Sequence, residues 1–151
     1  MASFELCISI DCPRETVFDF LIRPANVVDI SPPDASLKLV DVPEVLELGS
    51  VVEFEVGGFG PVQRMIHEIT AFDRPNSFTE TQRKGPLKSF VHEHIVESGN
   101  SMAVVIDRIT FDPPGGLVGF LVTEELILKS LQGGFEHRQR ELKRLLEQTA
   151  G

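Results

Sequence analysis

Two short spacings in this chain place proton-carrying side chains on every second residue: His92-x-His94 and Glu80-x-Gln82. On a β-strand, residues i and i+2 share a face, so each pair stands side by side. Phe90, His92, His94 and Val96 form one face of their segment, and Val91, Glu93, Ile95 and Glu97 form the other. The first face carries no formal charge at neutral pH, so it is expected to point inward. Phe78, Glu80 and Gln82 share a face of the preceding segment, and the turn at Gly85-Pro86 sets that segment against the histidines. Asp107 falls among Ser101, Ala103, Val105, Ile109 and Phe111, but the opposite parity, Met102, Val104, Ile106, Arg108 and Thr110, is equally apolar. Alternation alone leaves the direction of Asp107 open. Arg138 approaches from a C-terminal helical stripe.

Such a group supports three kinds of chemistry. Buried charges are rare unless paired, so the favoured reading is one hydrogen-bonded network lining a cavity for an apolar ligand with a polar end. The runner-up is proton abstraction next to a carbonyl, with His92 or His94 as base and Glu80 or Asp107 orienting it. The third is a metal, because His-x-His beside Glu80 offers three nitrogen and oxygen ligands. Neither a cofactor nor a metal is assigned on these grounds. The chain has 11 Phe but no Tyr and no Trp. An enolising enzyme needs a donor for its oxyanion, and here that role falls to a protonated His or acid, Arg138 or Gln82. A binder needs only a lined cavity, for which Phe is well suited.

The elements that must position these residues follow from periodicity and punctuation. Phe4, Leu6, Ile8 and Ile10 alternate with polar neighbours as a first strand. Pro13 suits the start of a helix running to about Ile22, and a second short helix spans Ala25 to Ile30 before Pro32-Pro33. Strands are predicted over Ala35–Val42, Val51–Val56, Val62–Phe72, Ser77–Arg83, Lys88–Glu97 and Met102–Phe111, with hairpin-length turns that imply an antiparallel meander. Asp112-Pro113-Pro114-Gly115-Gly116 ends the sheet. One long helix is predicted from about Leu117 to Gln148, with Leu121, Leu128, Phe135 and Leu142 recurring every seven residues and Leu117, Leu131 and Leu145 interleaved. The class is α+β, in one domain covering residues 1–151.

Composition narrows the partners. The 151 residues carry 23 acids against 14 bases, a formal charge of -9, and a surface of that sign repels phosphate backbones, so nucleic acid is not expected. From Leu117 onward acids and bases balance, so the whole excess lies in the first 116 residues. Asp29, Asp34, Asp41, Glu44, Glu47, Glu53 and Glu55 carry much of it as a solvated rim. Two cysteines are too few for a disulfide scaffold, and no apolar run approaches the length of a membrane span. A cytoplasmic location is expected. Cys12, near a helix start, is where a lowered thiol pKa could arise, though no nucleophile motif surrounds it.

The run Phe78-x-Glu80-x-Gln82-x-x-Gly85-Pro86-x-x-x-Phe90-x-His92-x-His94 resembles a pattern of bacterial START-like, or SRPBCC, proteins. Pro114-x-Gly116-x-x-Gly119 and Phe135-x-x-Arg138-x-x-x-Leu142 extend the likeness over essentially the whole chain. The resemblance implies a helix-grip fold, a curved antiparallel sheet around a long C-terminal helix, and it favours Asp107 pointing inward. The superfamily includes polyketide cyclase/dehydrase relatives, lipid-transfer domains and plain ligand binders, so the fold alone does not name the chemistry. Two departures stand out. Phe90 occupies a position that is often Trp, and Gly133-Gly134 interrupts the helix at a cost of about 2 kcal/mol relative to alanines.

The expected function is binding of a small hydrophobic or amphipathic molecule between sheet and helix. Met65, His67, Phe78, Phe90, Leu121, Leu128, Leu131 and Phe135 are the expected walls; Glu80, Gln82, His92 and His94, with Asp107 and Arg138, are the polar anchors. His67 shares a face with Met65 and Ile69 and is read as a satisfied wall histidine. The alternatives are a cyclase, dehydratase or isomerase acting on a polyketide- or steroid-like substrate, and a protein-interaction module using the acidic hairpin. Leu117, Phe120, Leu121 and Val122 crowd enough apolar surface for a cavity mouth or a homodimer contact.

Overall fold

A computed structural model describes residues 1–57, 61–116 and 122–149. Strand β1 (Ala2–Ile10) is followed by helices α1 (Arg14–Leu21) and α2 (Pro24–Ile30), then by β2 (Lys38–Asp41), β3 (Val51–Val56), β4 (Gln63–Asp73), β5 (Ser77–Lys84), β6 (Ser89–Ser98) and β7 (Ala103–Asp112). Helix α3 (Glu124–Thr149) closes the chain. The seven strands form one antiparallel sheet in the order β1-β7-β6-β5-β4-β3-β2, so the first strand returns to pair with the last. No described helix is long and apolar enough to cross a membrane.

Three boundaries differ from the sequence expectation. Pro33–Ala35 forms a 3₁₀ turn, because the Pro32-Pro33 pair and the left-handed Ser36 that follows suit a tight corner, and β2 therefore starts at Lys38. Helix α2 starts one residue before the expected Ala25, because Pro24 fits the first helical turn, where its missing N–H costs nothing. The last helix begins at Glu124, where the Thr123 hydroxyl accepts a bond from the Leu126 amide, and the predicted stretch at 117–121 lies outside the described residues. The helix runs through Gly133 and Gly134 without a break, and a Cβ built at either meets no described atom within 4 Å.

Packing divides the interior into two apolar clusters. One gathers around α1, where Phe18 meets Phe72 and Phe78 edge-on, together with Ile69, Val96 and Val105 of the sheet and Leu142 and Leu146 of α3. The other holds Phe4, Phe90, Ile109, Phe111 and Phe135, with Leu128 and Leu131 packed on it. Helix α3 is tied along β1: Gln139 donates to the Leu6 carbonyl, Lys143 to that of Ser9, and the Asp11 amide to Glu147. A row of polar residues separates the two clusters.

Candidate functional site

Each inward-facing ladder changes character at the same level. Along β6 the buried residues run Phe90, His92, His94, Val96; along β7 they run Phe111, Ile109, Asp107, Val105, Ala103. Asp107 thus points inward, and the parity left open by alternation is decided by the antiparallel pairing of β7 with both β1 and β6. In β5 the change occurs at Glu80 after Phe78, and in β4 at His67 after Ile69. Helix α3 contributes Gln139 between Phe135 and Leu142. The polar seam therefore runs His67, Glu80, His94, His92, Asp107, Gln139 across four strands and a helix.

Its bonds are short. Glu80 accepts from His67 Nδ1 at 3.0 Å and from His94 Nε2 at 2.7 Å; Asp107 accepts from His92 Nε2 at 2.6 Å and from Gln139 Nε2 at 2.8 Å. The imidazoles of His92 and His94 stack at 3.6 Å between centroids. Phe78 lies flat on His94 at 4.0 Å, and Phe135 meets His92 edge-on at 4.7 Å, so each cluster holds one face of the pair. Phe54 and Phe90 bracket His67.

Electrostatics separate the roles. Burial by itself would raise the Asp107 carboxyl, but the bond from His92, with help from His94 and Gln139, holds it at about 2. Burial likewise works against ionised Glu80, and the bonds from His67 and His94 overcome it, leaving the carboxyl well below its usual range. Burial first, then the neighbouring His94, push His92 down to about 4 against the pull of Asp107 and Glu80. At neutral pH the centre therefore holds two carboxylates and a neutral His92 imidazole. Arg138, lowered by burial and raised by the two carboxylates, sits over the Phe135 ring at 4.8 Å and donates to the Ser31 hydroxyl at 3.3 Å.

Glu80, His92, His94 and Asp107, expected as polar anchors, are gathered here, with three differences from the expectation. His67 is a full member of the network, bonded to Glu80, and not only a wall residue. Gln139 lies outside the sequence expectation; its spacing between Phe135 and Leu142 on the apolar stripe is the signal that marks it. Gln82 is inward on β5 but turns its amide to the Leu87 carbonyl at 2.7 Å, beside rather than within the seam. Met65, Leu128 and Leu131 are half-buried nearby, and Leu121 lies outside the described residues. Glu80 is the seam's accessible end: its side chain is 18% exposed, against 1% for His92 and 5% for His94.

Other sites fare differently. Burial, then Glu147 and Asp11, raise the Cys12 thiol, opposite to what a helix start would do for a nucleophile. In the acidic region Glu53 faces Arg64 and Glu44 faces Arg23. One surface cleft lies beside Asn26, Leu39 and Glu44 and another beside Arg14, Ser98 and Met102; neither reaches the seam.

No protein-family model matches the chain, and no curated protein matches it. Solved structures do. TTHA0849 from Thermus thermophilus is 15% identical, with 99% of this chain and 100% of that chain covered at a TM-score of 0.75. CV1439 from Chromobacterium violaceum is 13% identical over 96% and 97%, also at 0.75. Ginseng major latex-like protein 151 from Panax ginseng is 18% identical over 95% of each chain at 0.64. With the sheet order and the closing helix, these likenesses give the chain a helix-grip fold. At such identities the likeness defines the fold, and the site must be argued from its own residues.

Proposed function

We propose that this protein binds a small amphipathic molecule inside the cell, with the apolar body against Met65, Phe54, Leu128 and Leu131 and the polar end at the open side of Glu80. One observation carries the reading. Three buried polar atoms, His67 Nε2, Gln82 Oε1 and Arg138 Nε, have no hydrogen-bond partner among the described residues. His67 and Gln82 face each other across β4 and β5, and Arg138 lies within electrostatic reach of Glu80. Buried polar atoms are nearly always satisfied, so these three call for partners that the described residues do not provide.

The atom types define that partner. Gln82 Oε1 accepts and Arg138 Nε donates, while His67, bonded to Glu80 through Nδ1, presents Nε2. A hydroxyl serves both kinds. A carboxylate meets two ionised acids that no Lys or Arg pairs within 4.0 Å among the described residues. The preferred ligand class is therefore a neutral amphiphile such as an alcohol.

The Asp107–His92 bond, backed by Gln139, also supports acid–base catalysis on a cyclase or isomerase substrate. Binding stands ahead of it for two reasons. A base at about 4 is weak at neutral pH, and the Gln82 amide that would polarise a carbonyl already donates to Leu87. The test is native mass spectrometry of the purified protein against its denatured mass, with thermal shifts in dodecanol and dodecanoate. Retained mass, or a melting temperature raised more by dodecanol than by dodecanoate, is expected. A bare mass with no shift from either compound ends the proposal.

A further inference from the structure

We propose that Glu80, His92 and His94 bind one divalent first-row transition metal ion of the zinc type, held by Glu80 Oε1, His92 Nδ1 and His94 Nε2. This inference goes beyond the ligand reading and does not rest on it. Ligand atoms of the three residues lie within 4.8 Å of one another, with Glu80 Oε1 2.7 Å from His94 Nε2 and 3.7 Å from His92 Nδ1. Two ligands of a tetrahedral zinc, each about 2.0–2.1 Å from the ion, stand roughly 3.3 Å apart, a separation that the two distances from Glu80 bracket. Binding requires the stacked His92 and His94 rings, 30° apart, to open so that both lone pairs reach one ion.

Hydrogen bonding orients the donors. Asp107 accepts a hydrogen bond from His92 Nε2, so the ring's lone pair is on Nδ1 and faces Glu80 Oε1 at 3.7 Å, an acceptor against an acceptor. No Lys or Arg lies within 4.0 Å of either carboxylate among the described residues; their ion-pair partners are all histidines. Buried charges of this kind are paired or hold metals. The outer partners are already in place: Gln139 on Asp107, Asp107 on His92, and His67 on the second oxygen of Glu80. A carboxylate behind a ligating imidazole fixes its tautomer and raises its basicity.

His94 now donates from Nε2 to Glu80, and its Nδ1 faces Asp107 Oδ1 at 3.9 Å. Zinc takes the Nε2 lone pair in place of that proton, which moves to Nδ1 or leaves to water. Two imidazoles with one carboxylate suit zinc, cobalt or nickel over magnesium or calcium. Glu80 is the most exposed of the three side chains, at 18%, and a tetrahedral ion would take water or another oxygen donor as its fourth ligand.

The experiment is calorimetric titration of EDTA-treated, dialysed protein with ZnCl₂ and, separately, MgCl₂. One zinc per chain and no magnesium are expected. His94→Gln should weaken zinc binding by at least about 100-fold and Asp107→Asn by about 10–100-fold, while His137→Gln leaves it unchanged. Should the variants fail to fold, nitrogen spectra of the histidine rings in the unaltered protein decide. Zinc must shift His92 Nδ1 and His94 Nε2 and leave His137 unmoved. No heat with zinc, equal binding of magnesium, binding indifferent to His94, or shifts confined to His137 would each overturn the site.

Discussion

Asp107 stands directly opposite His94 in the pairing of β7 with β6, yet its bond goes diagonally to His92 at 2.6 Å. Glu80 does the same from the other side: it stands opposite His92 in the pairing of β5 with β6 and bonds to His94 at 2.7 Å. The direct contacts are the long ones, 3.7 Å from Glu80 to His92 and 3.9 Å from Asp107 to His94. Diagonal neighbours on a twisted sheet lie within reach of long side chains, and here the twist crosses the two pairs. Each imidazole is thus gripped by one carboxylate at Nε2 and faced by the other at Nδ1.

Removing one member of a crossed pair should strand its partner. Asp107→Ala leaves His92 and Gln139 buried with unused donors, and a loss of about 3–5 kcal/mol in urea unfolding is expected. Asp107→Asn keeps the shape and should cost less. A double-mutant cycle with Gln139→Ala should show coupling between the two sites; additive losses would mean that the 2.8 Å bond carries no energy of its own.

Stability should fall steadily with acid. His92 is held at about 4 against an ordinary 6.5, so between those values the unfolded chain binds a proton that the folded chain does not, and stability declines as pH drops through that window. The loss is roughly 3 kcal/mol when complete. Asp107, held at about 2 against 3.8, stabilises fully above its ordinary value and loses that contribution as pH falls toward 2. Urea midpoints measured in EDTA from pH 7.5 down to 2.5 should show both stages, and a flat response between 6.5 and 4 would contradict the buried neutral His92.

Gly133 and Gly134 offer the opposite test. Both are helical and a Cβ added at either meets no described atom within 4 Å beyond its own helix backbone, so Gly133→Ala and Gly134→Ala should each stabilise by about 1 kcal/mol. If the doubly substituted protein is more stable but loses dodecanol binding, the glycines make room for the ligand. If both properties persist, they are simply tolerated.

Gly85 has a defined neighbour. A Cβ there would sit 2.3 Å from Gln82 Oε1, the tip of a flexible side chain. Gly85→Ala should therefore displace the Gln82 amide and break its bond to Leu87, with the fold intact and a melting temperature lowered by only a few degrees. Loss of amphiphile binding in this variant, with an unchanged circular-dichroism spectrum, would place Gln82 at the ligand.

Local pattern is enough to set the strands, the two short helices and the inward face of His92 and His94, because period-two alternation and proline punctuation are properties of a few neighbouring residues. It is also enough to bring Glu80 to the histidines, since the turn at Gly85-Pro86 leaves little choice of partner strand. Asp107 cannot be oriented this way, because both faces of its strand are apolar and only pairing with β1 and β6 breaks the tie. His67 and Gln139 join the site for the same kind of reason: one comes from the next strand across the sheet, the other from a helix well beyond Asp107 in the chain. A single strand specifies which face is buried. Which buried polar atoms meet depends on register, twist and the placement of α3, and these are settled only when the whole sheet closes on the helix.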